Sequence, residues 1–157
     1  MYNEPMAKVH EYPITLKWTG GRDGSGTVSA DRSGVSLPLS VPPEFGGTAG
    51  TGTNPEEMLT ASIASCYSIT FGIIATNRKL PFVGLEVTAN GEVEENGPTF
   101  TYKSVTISPV IQLDSSATDD QIKMAEDMAH KADSYCIITN AVRDKVEIKV
   151  NPTVIRG

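Results

Sequence analysis

The segment that most limits the fold is Met58–Asn77, MLTASIASCYSITFGIIATN, which contains no charged side chain. It follows TNPEE, a helix start with Asn54 as N-cap, Pro55 at the first helical position and Glu56 and Glu57 in the first turn. A helix without charge on any face has to be buried all round. Its length approaches that of a membrane span, but Thr60, Ser62, Ser65, Ser68, Thr70, Gly72, Thr76 and Asn77 make it too polar for hydrocarbon. At about 100° per residue, Leu59, Ser62, Ile63, Ile69 and Ile73 flank Cys66 on one face. Ala61, Ser65, Ser68, Gly72 and Ala75 form a seam of small residues opposite. The domain's own sheet can cover one side; the seam admits a second backbone at close range, which points to a homodimer built around this helix.

The 157 residues suffice for one domain and are too few to expect two, so a single domain over 1–157 is expected, with 1–12 as a loose arm. ITLKWTG alternates like a half-buried strand, and GGRDGSG turns the chain toward short strands near 27–30 and 35–39. SVPPEFGGTAGTGTNPEE is a Pro- and Gly-rich loop. Segments 85–94 and 100–113 are joined by ENGP, a hairpin signal through Asn-Gly. Thr118 and Gln121 have capping-box spacing before a second helix, and KVEIKVNP closes the chain as a strand. This order gives an α+β fold with mostly antiparallel sheet around a buried central helix.

A net charge of −6 argues against nucleic acid and against an anionic membrane surface. The N-terminus lacks the apolar segment of a signal peptide, so a cytoplasmic location is expected. Two cysteines, Cys66 and Cys136, in a reducing compartment point away from a structural disulfide and toward thiol chemistry or a metal. A buried cysteine is most often a small hydrophobe. Cys136, in ADSYCIITNAV, lies in a second apolar stretch that reads as helical; a pair so placed is either coincidence or a nucleophile with its resolving partner.

A reactive Cys66 would have to ionise, and burial opposes that. The dipole of its own helix fades within the first turn, far short of this position. A delivered cation is therefore expected; lowering the pKa by two units takes roughly 2.7 kcal/mol, within reach of one partly buried arginine. Arg22, on the glycine-flanked turn, is the candidate, although an arginine there is ordinarily a solvated turn residue. Glu56 or Glu57 could orient it. Glu56 and Cys66 would lie about 15 Å apart on one straight helix, so the pairing is simplest if a partner subunit contributes.

GGRDGSGTVS, PPEFGGTAGTGTNPEEMLTASIASCYS and YCIITNAVRD together resemble the OsmC/Ohr family (osmotically inducible protein C and organic hydroperoxide resistance proteins), from about Lys17 to Pro152. The resemblance implies an intertwined α+β homodimer with sites at the subunit interface. It also implies a cysteine-based peroxidase for organic hydroperoxides that uses no metal, haem or flavin. By motif, Cys66 resembles the peroxidatic cysteine, Cys136 the resolving one, Arg22 the thiolate-activating arginine and Glu56 its carboxylate partner. The implied reductant is a dithiol such as a lipoylated protein. Leu59, Ile63 and Ile69, as apolar neighbours of Cys66, would favour a greasy peroxide. Ile137 stands where the family commonly has proline after the second cysteine. The competing readings are a thiol redox sensor or small-ligand carrier on the same fold, and a zinc site from Cys66, Cys136, His10 and His130, which lacks recurrent metal-ligand spacing. A phosphate loop at GGRDGSG is disfavoured, since the segment lacks Gly-Lys-Ser/Thr and opens no helix.

Overall fold

The computed structural model describes residues 6–48 and 51–157. Residues 1–5 of the expected arm, and positions 49 and 50 of the Gly-rich loop, lie outside the described residues. The chain divides into two compact units between Asn54 and Pro55.

In the N-terminal unit, β1 (Ile14–Thr19), β2 (Ser25–Ala30) and β3 (Ser36–Ser40) form an antiparallel sheet in that order. The register stacks Ile14, Leu16 and Trp18 beside Ala30, Val28 and Gly26, and then beside Leu37 and Leu39 across β2–β3. These positions share one face of the pleat. The sequence suggested a half-buried β1, yet Ile14, Leu16, Trp18 and Leu37 are all exposed. The alternation is present, but what would bury its apolar face is a second surface. The arm is held at its base: the Arg32 guanidinium lies 4.6 Å from the Tyr12 ring centroid and donates to the Glu11 carbonyl at 3.1 Å. Beyond that anchor Met6 and Val9 are exposed.

The C-terminal unit packs helices on one face of a mixed sheet. Its elements are α1 (Pro55–Asn77), β4 (Phe82–Asn96), β5 (Thr99–Leu113), α2 (Asp119–Lys131), α3 (Ile137–Val142), β6 (Glu147–Val150) and β7 (Thr153–Arg156). Asn96 pairs with Thr99, so the two turn residues are Gly97 and Pro98 rather than Asn-Gly. Gly97 has φ 60°, and proline fixes the next φ near −65°, the combination that a tight primed turn requires. The strands run well beyond their expected limits because the ladder continues to the turn.

Odd-numbered residues of β5, Val105, Ile107, Ile111 and Leu113, point inward and are fully buried. A bulge between Glu92 and Val93 leaves Lys103 unpaired, since Glu92 faces Ser104 and Val93 faces Tyr102. The extra residue reverses the alternation, so Tyr102 joins the inward face. β6 and β7 both run parallel to β5, beside Ser104–Ile107 and Val110–Leu113 respectively. The sequence suggested mostly antiparallel pairing and one closing strand. The crossover through α2 and α3 returns the chain in the parallel sense, and Asn151-Pro152 divides its last stretch in two. The fold class is α+β, with one antiparallel and one mixed sheet.

α2 begins with the expected capping box: Thr118 Oγ1 accepts from the Gln121 amide at 3.2 Å and Gln121 Oε1 from the Thr118 amide at 2.9 Å. α1 turns Ile63, Tyr67, Phe71 and Ala75 into the core. Ala75 is thus a core residue and not part of the small seam. Phe71 stacks with Tyr67 at 6.5 Å and meets Phe82 edge-on at 5.6 Å. The buried Tyr67 hydroxyl donates to the Ala129 carbonyl at 2.6 Å, tying α1 to α2; burial, with Asp133 nearby, holds the phenol far above its ordinary pKa. Ala61, Ser62, Ser65, Ile69 and Ile73 on the far side are exposed, so the C-terminal unit covers α1 on one side only.

Phe71→Ala should cost about 3–5 kcal/mol in chemical denaturation, the usual figure for emptying a well-packed aromatic site. Tyr67→Phe should cost about 1–3 kcal/mol, because it strands the buried Ala129 carbonyl. Equal losses from the two would show that the helix is held mainly by the hydrogen bond and not by packing.

Candidate active site

α1 carries Cys66 at the border between its core face and its open face, and the residue is half-buried. Cys136 comes to it from a break in the chain. After α2, a 3-10 turn covers Ala132–Tyr135; Cys136 is extended (φ −80°, ψ 117°), and α3 starts at Ile137. The expectation that Cys136 lies within a helix is therefore corrected: it is the residue between two helical pieces. Its amide donates to the Asp133 carbonyl at 3.2 Å and its carbonyl accepts from the Asn140 amide at 2.9 Å. The thiol is fully buried.

This arrangement places Cys136 beside Cys66, near enough for each thiol to shift the titration of the other. Burial pushes the Cys66 thiol up. Hydrogen bonds from the Cys136 thiol, the Ile138 and Ile137 amides and the Thr70 hydroxyl outweigh it, and Cys66 titrates below the ordinary thiol value. Cys136 shifts the other way. Its burial and the neighbouring Cys66 raise it more than the Thr139 hydroxyl and amide lower it. Between them, Cys66 is the sulfur that ionises and Cys136 the one that keeps its proton. The fully buried Thr139 hydroxyl has no hydrogen-bond partner among the described residues.

From the sequence a cation is expected at Cys66, because the start of α1 is too far away. The structure adds a neutral source that the sequence does not reveal, the amides at the start of α3. Backbone donors leave no trace in composition, although Thr70, one helical turn beyond Cys66, is a readable clue. Ile137 gains meaning in this setting, since a proline at this position would have no N–H to donate.

The remaining candidate residues are distributed over both units. Arg22 is exposed on the β1–β2 turn, where its aliphatic stem lies against Gly46; a Cβ on Gly46 would come within 2.9 Å of Arg22 Cδ. It belongs to the N-terminal unit, and Cys66 to the other. Glu56 stands in the first turn of α1, and its buried Oε2 has no hydrogen-bond partner among the described residues. Of the apolar neighbours, Ile63 is a wholly buried core residue and cannot line an open pocket, which corrects its expected role. Leu59 packs half-buried against the core, and Ile69 is 66% exposed.

Beside the small seam, a cleft of about 660 Å³ opens between Ala61, Ser65 and Ser68 on α1 and Val87, Ala89 and Tyr102 on the sheet, with Glu56 also on its wall. The Tyr102 hydroxyl meets Thr60 Oγ1 at 2.5 Å, and Thr60 in turn donates to the Glu56 carbonyl at 2.8 Å. Gly91 leaves room for that contact, because a Cβ there would collide with both hydroxyls.

The sequence profile of the family described as OsmC-like protein matches residues 47–151. The chain belongs to the OsmC-like family. The match includes Glu56, Cys66 and Cys136 and leaves Arg22 outside it. Similar relatives include an uncharacterised Bacillus subtilis (strain 168) protein, YmaD, 32% identical over 94% of this chain and 97% of its own. An organic hydroperoxide resistance protein of Xanthomonas axonopodis pv. citri (strain 306) is 29% identical over 83% and 86%. Among solved OsmC-like structures, an organic hydroperoxide resistance protein from Legionella pneumophila superposes with a TM-score of 0.71, at 25% identity over 92% of this chain and 99% of its own.

Iodoacetamide labelling of Cys66, followed by mass spectrometry across pH, should give an inflection below that of a free cysteine peptide. Cys136→Ala should move it upward, since the thiolate loses its sulfur donor. An inflection in the wild type at or above the peptide's would refute this order of ionisation.

Proposed function

We propose that the protein is a thiol-dependent peroxidase that reduces organic hydroperoxides to alcohols. The observation that carries this reading is the proximity of two thiols distant in sequence, one disposed to ionise and the other to keep its proton. The Cys66 thiolate attacks the distal oxygen of ROOH; an S–O bond forms, the O–O bond breaks, and the alkoxide leaves as ROH after taking a proton. The resulting sulfenic acid is then attacked by the Cys136 sulfur, which gives up its proton; an S–S bond forms and water leaves. An external dithiol, such as a lipoylated protein, returns two electrons and two protons by exchange.

Arg22 in this reading pairs with the thiolate and donates hydrogen bonds to the peroxide oxygens as charge develops. Glu56, with its unpartnered inward oxygen, is the carboxylate that holds it. Both units act as one domain within an intertwined homodimer, in which a second copy covers the small seam of α1 and the apolar face of β1–β3. Leu59 and Ile69 then form part of an apolar wall that favours a greasy peroxide over hydrogen peroxide. The organic hydroperoxide resistance names among the relatives support the substrate class, and a cytoplasmic site of action suits two free thiols.

The test is dithiol-dependent consumption of cumene hydroperoxide and hydrogen peroxide by wild type, Cys66→Ser and Cys136→Ser. Expected are a preference for cumene hydroperoxide, complete loss in Cys66→Ser, and an arrest at sulfenic acid in Cys136→Ser. Arg22→Ala should lower the rate by about two orders of magnitude, the usual scale for losing a charge-stabilising donor, with the fold intact. Fully reduced wild type that consumes neither peroxide would overturn the reading in favour of a sensor or carrier.

A further inference from the structure

The groups from outside α1 that lower the Cys66 pKa, the Cys136 thiol and the Ile137 and Ile138 amides, are three consecutive residues in the segment that packs on α1. Their position depends on a segment with little intrinsic stability. α3 has six residues, and a helix that short does not persist on its own. The 3-10 turn before it has four.

A network closes this segment end to end. Arg143 Nη2 donates to the Asp133 carbonyl at 2.8 Å, and Nη1 meets Asp133 Oδ2 at 3.3 Å. The same guanidinium grips Asn140 Oδ1 through Nε at 3.2 Å and Nη2 at 3.1 Å. Asn140 Nδ2 then reaches back to the Ser134 carbonyl at 3.0 Å. Two residues after Cys136 and two before it are thus tied across the cysteine. Surface pairs of this kind contribute little to global stability, so the use of so many directed bonds at this point is geometric. The planar fork of arginine suits it, since two acceptors are held at fixed angles.

We infer that Arg143 is a positioning residue for the thiol pair, acting through Asp133, Asn140 and Ser134 to hold Cys136 and the Ile137 and Ile138 amides against Cys66. This rests on the peroxidase reading only for the disulfide step; the activation of Cys66 is independent of it. Cys136 is the titratable group that faces Cys66. Asp133 and Arg143 offset one another within the network, α2 ends in the exposed His130 and Lys131, and the sheet offers Val87, Ala89 and Tyr102 to α1.

The experiment compares wild type, Arg143→Gln, Arg143→Lys and Asn140→Ala, after circular dichroism and thermal melting have confirmed each fold. On reduced protein, the pH inflection of Cys66 alkylation should rise in Arg143→Gln and Asn140→Ala; Arg143→Lys, with the charge but not the fork, should rise as well. One equivalent of cumene hydroperoxide is then added above all the inflections, where Cys66 is ionised in every variant. Formation of sulfenic acid should be equal, but its conversion to disulfide should slow roughly tenfold or more, in keeping with the sensitivity of reacting groups to small misplacement. Wild-type inflections and disulfide rates in folded Arg143→Gln and Asn140→Ala would overturn the inference. If no variant reacts with peroxide but the alkylation inflections still shift, the peroxidase reading fails and the positioning role stands.

Discussion

A helix of twenty-three residues that carries no charge beyond its first turn needs cover on every side, and most of this architecture answers that demand. β4 and β5 supply an inward face of branched aliphatic side chains, and α2 closes over one edge through Ala125, Met128 and Ala129. What remains open is the seam of small residues and the cleft beside it. The same condition recurs in the N-terminal unit, where a three-stranded sheet displays its apolar residues to solvent. Two apolar surfaces in the described chain are thus left uncovered.

The same helix sets the problem of its cysteine. Placing a thiol among aliphatic side chains suppresses ionisation, and the remedy within this unit is neutral: a second thiol, two amides and a hydroxyl. Neutral donors carry a smaller desolvation cost than a buried cation, and they favour the anion as long as their geometry is fixed. That condition moves the burden from α1 to the short segment around Cys136. The segment is irregular where it needs to be, because the break at Cys136 aims two consecutive amides in a direction that a continuous helix would not allow.

Much of this is legible in the residues. The start of α1, the capping box at Thr118 and the β4–β5 hairpin follow from local chemistry, whereas the pairing of Cys66 with Cys136 is what the family resemblance implies. Sequence and structure part where long-range geometry decides. The reversal at Lys103, which aims Tyr102 at Thr60, has no signature in an alternating pattern that is otherwise intact. The helical wheel places Leu59 and Ile63 beside Cys66 but does not say which side of the wheel the sheet takes, so Ile63 reads as a pocket residue when it belongs to the core. Parallel addition of β6 and β7 depends on the path of the crossover. The helical reading of Cys136 fails because apolar periodicity continues across a backbone break.

The amides of Ile137 and Ile138 bear on more than the ease of ionisation. Donors that favour a thiolate have no comparable acceptor once that sulfur is shared in a disulfide, so they stabilise the dithiol side of the couple. Stabilising the reduced form raises the reduction potential. In the proposed cycle, a cysteine pair held this way would give up its disulfide readily to a modest reductant, making regeneration, and not only the first attack, a property of the backbone next to Cys136.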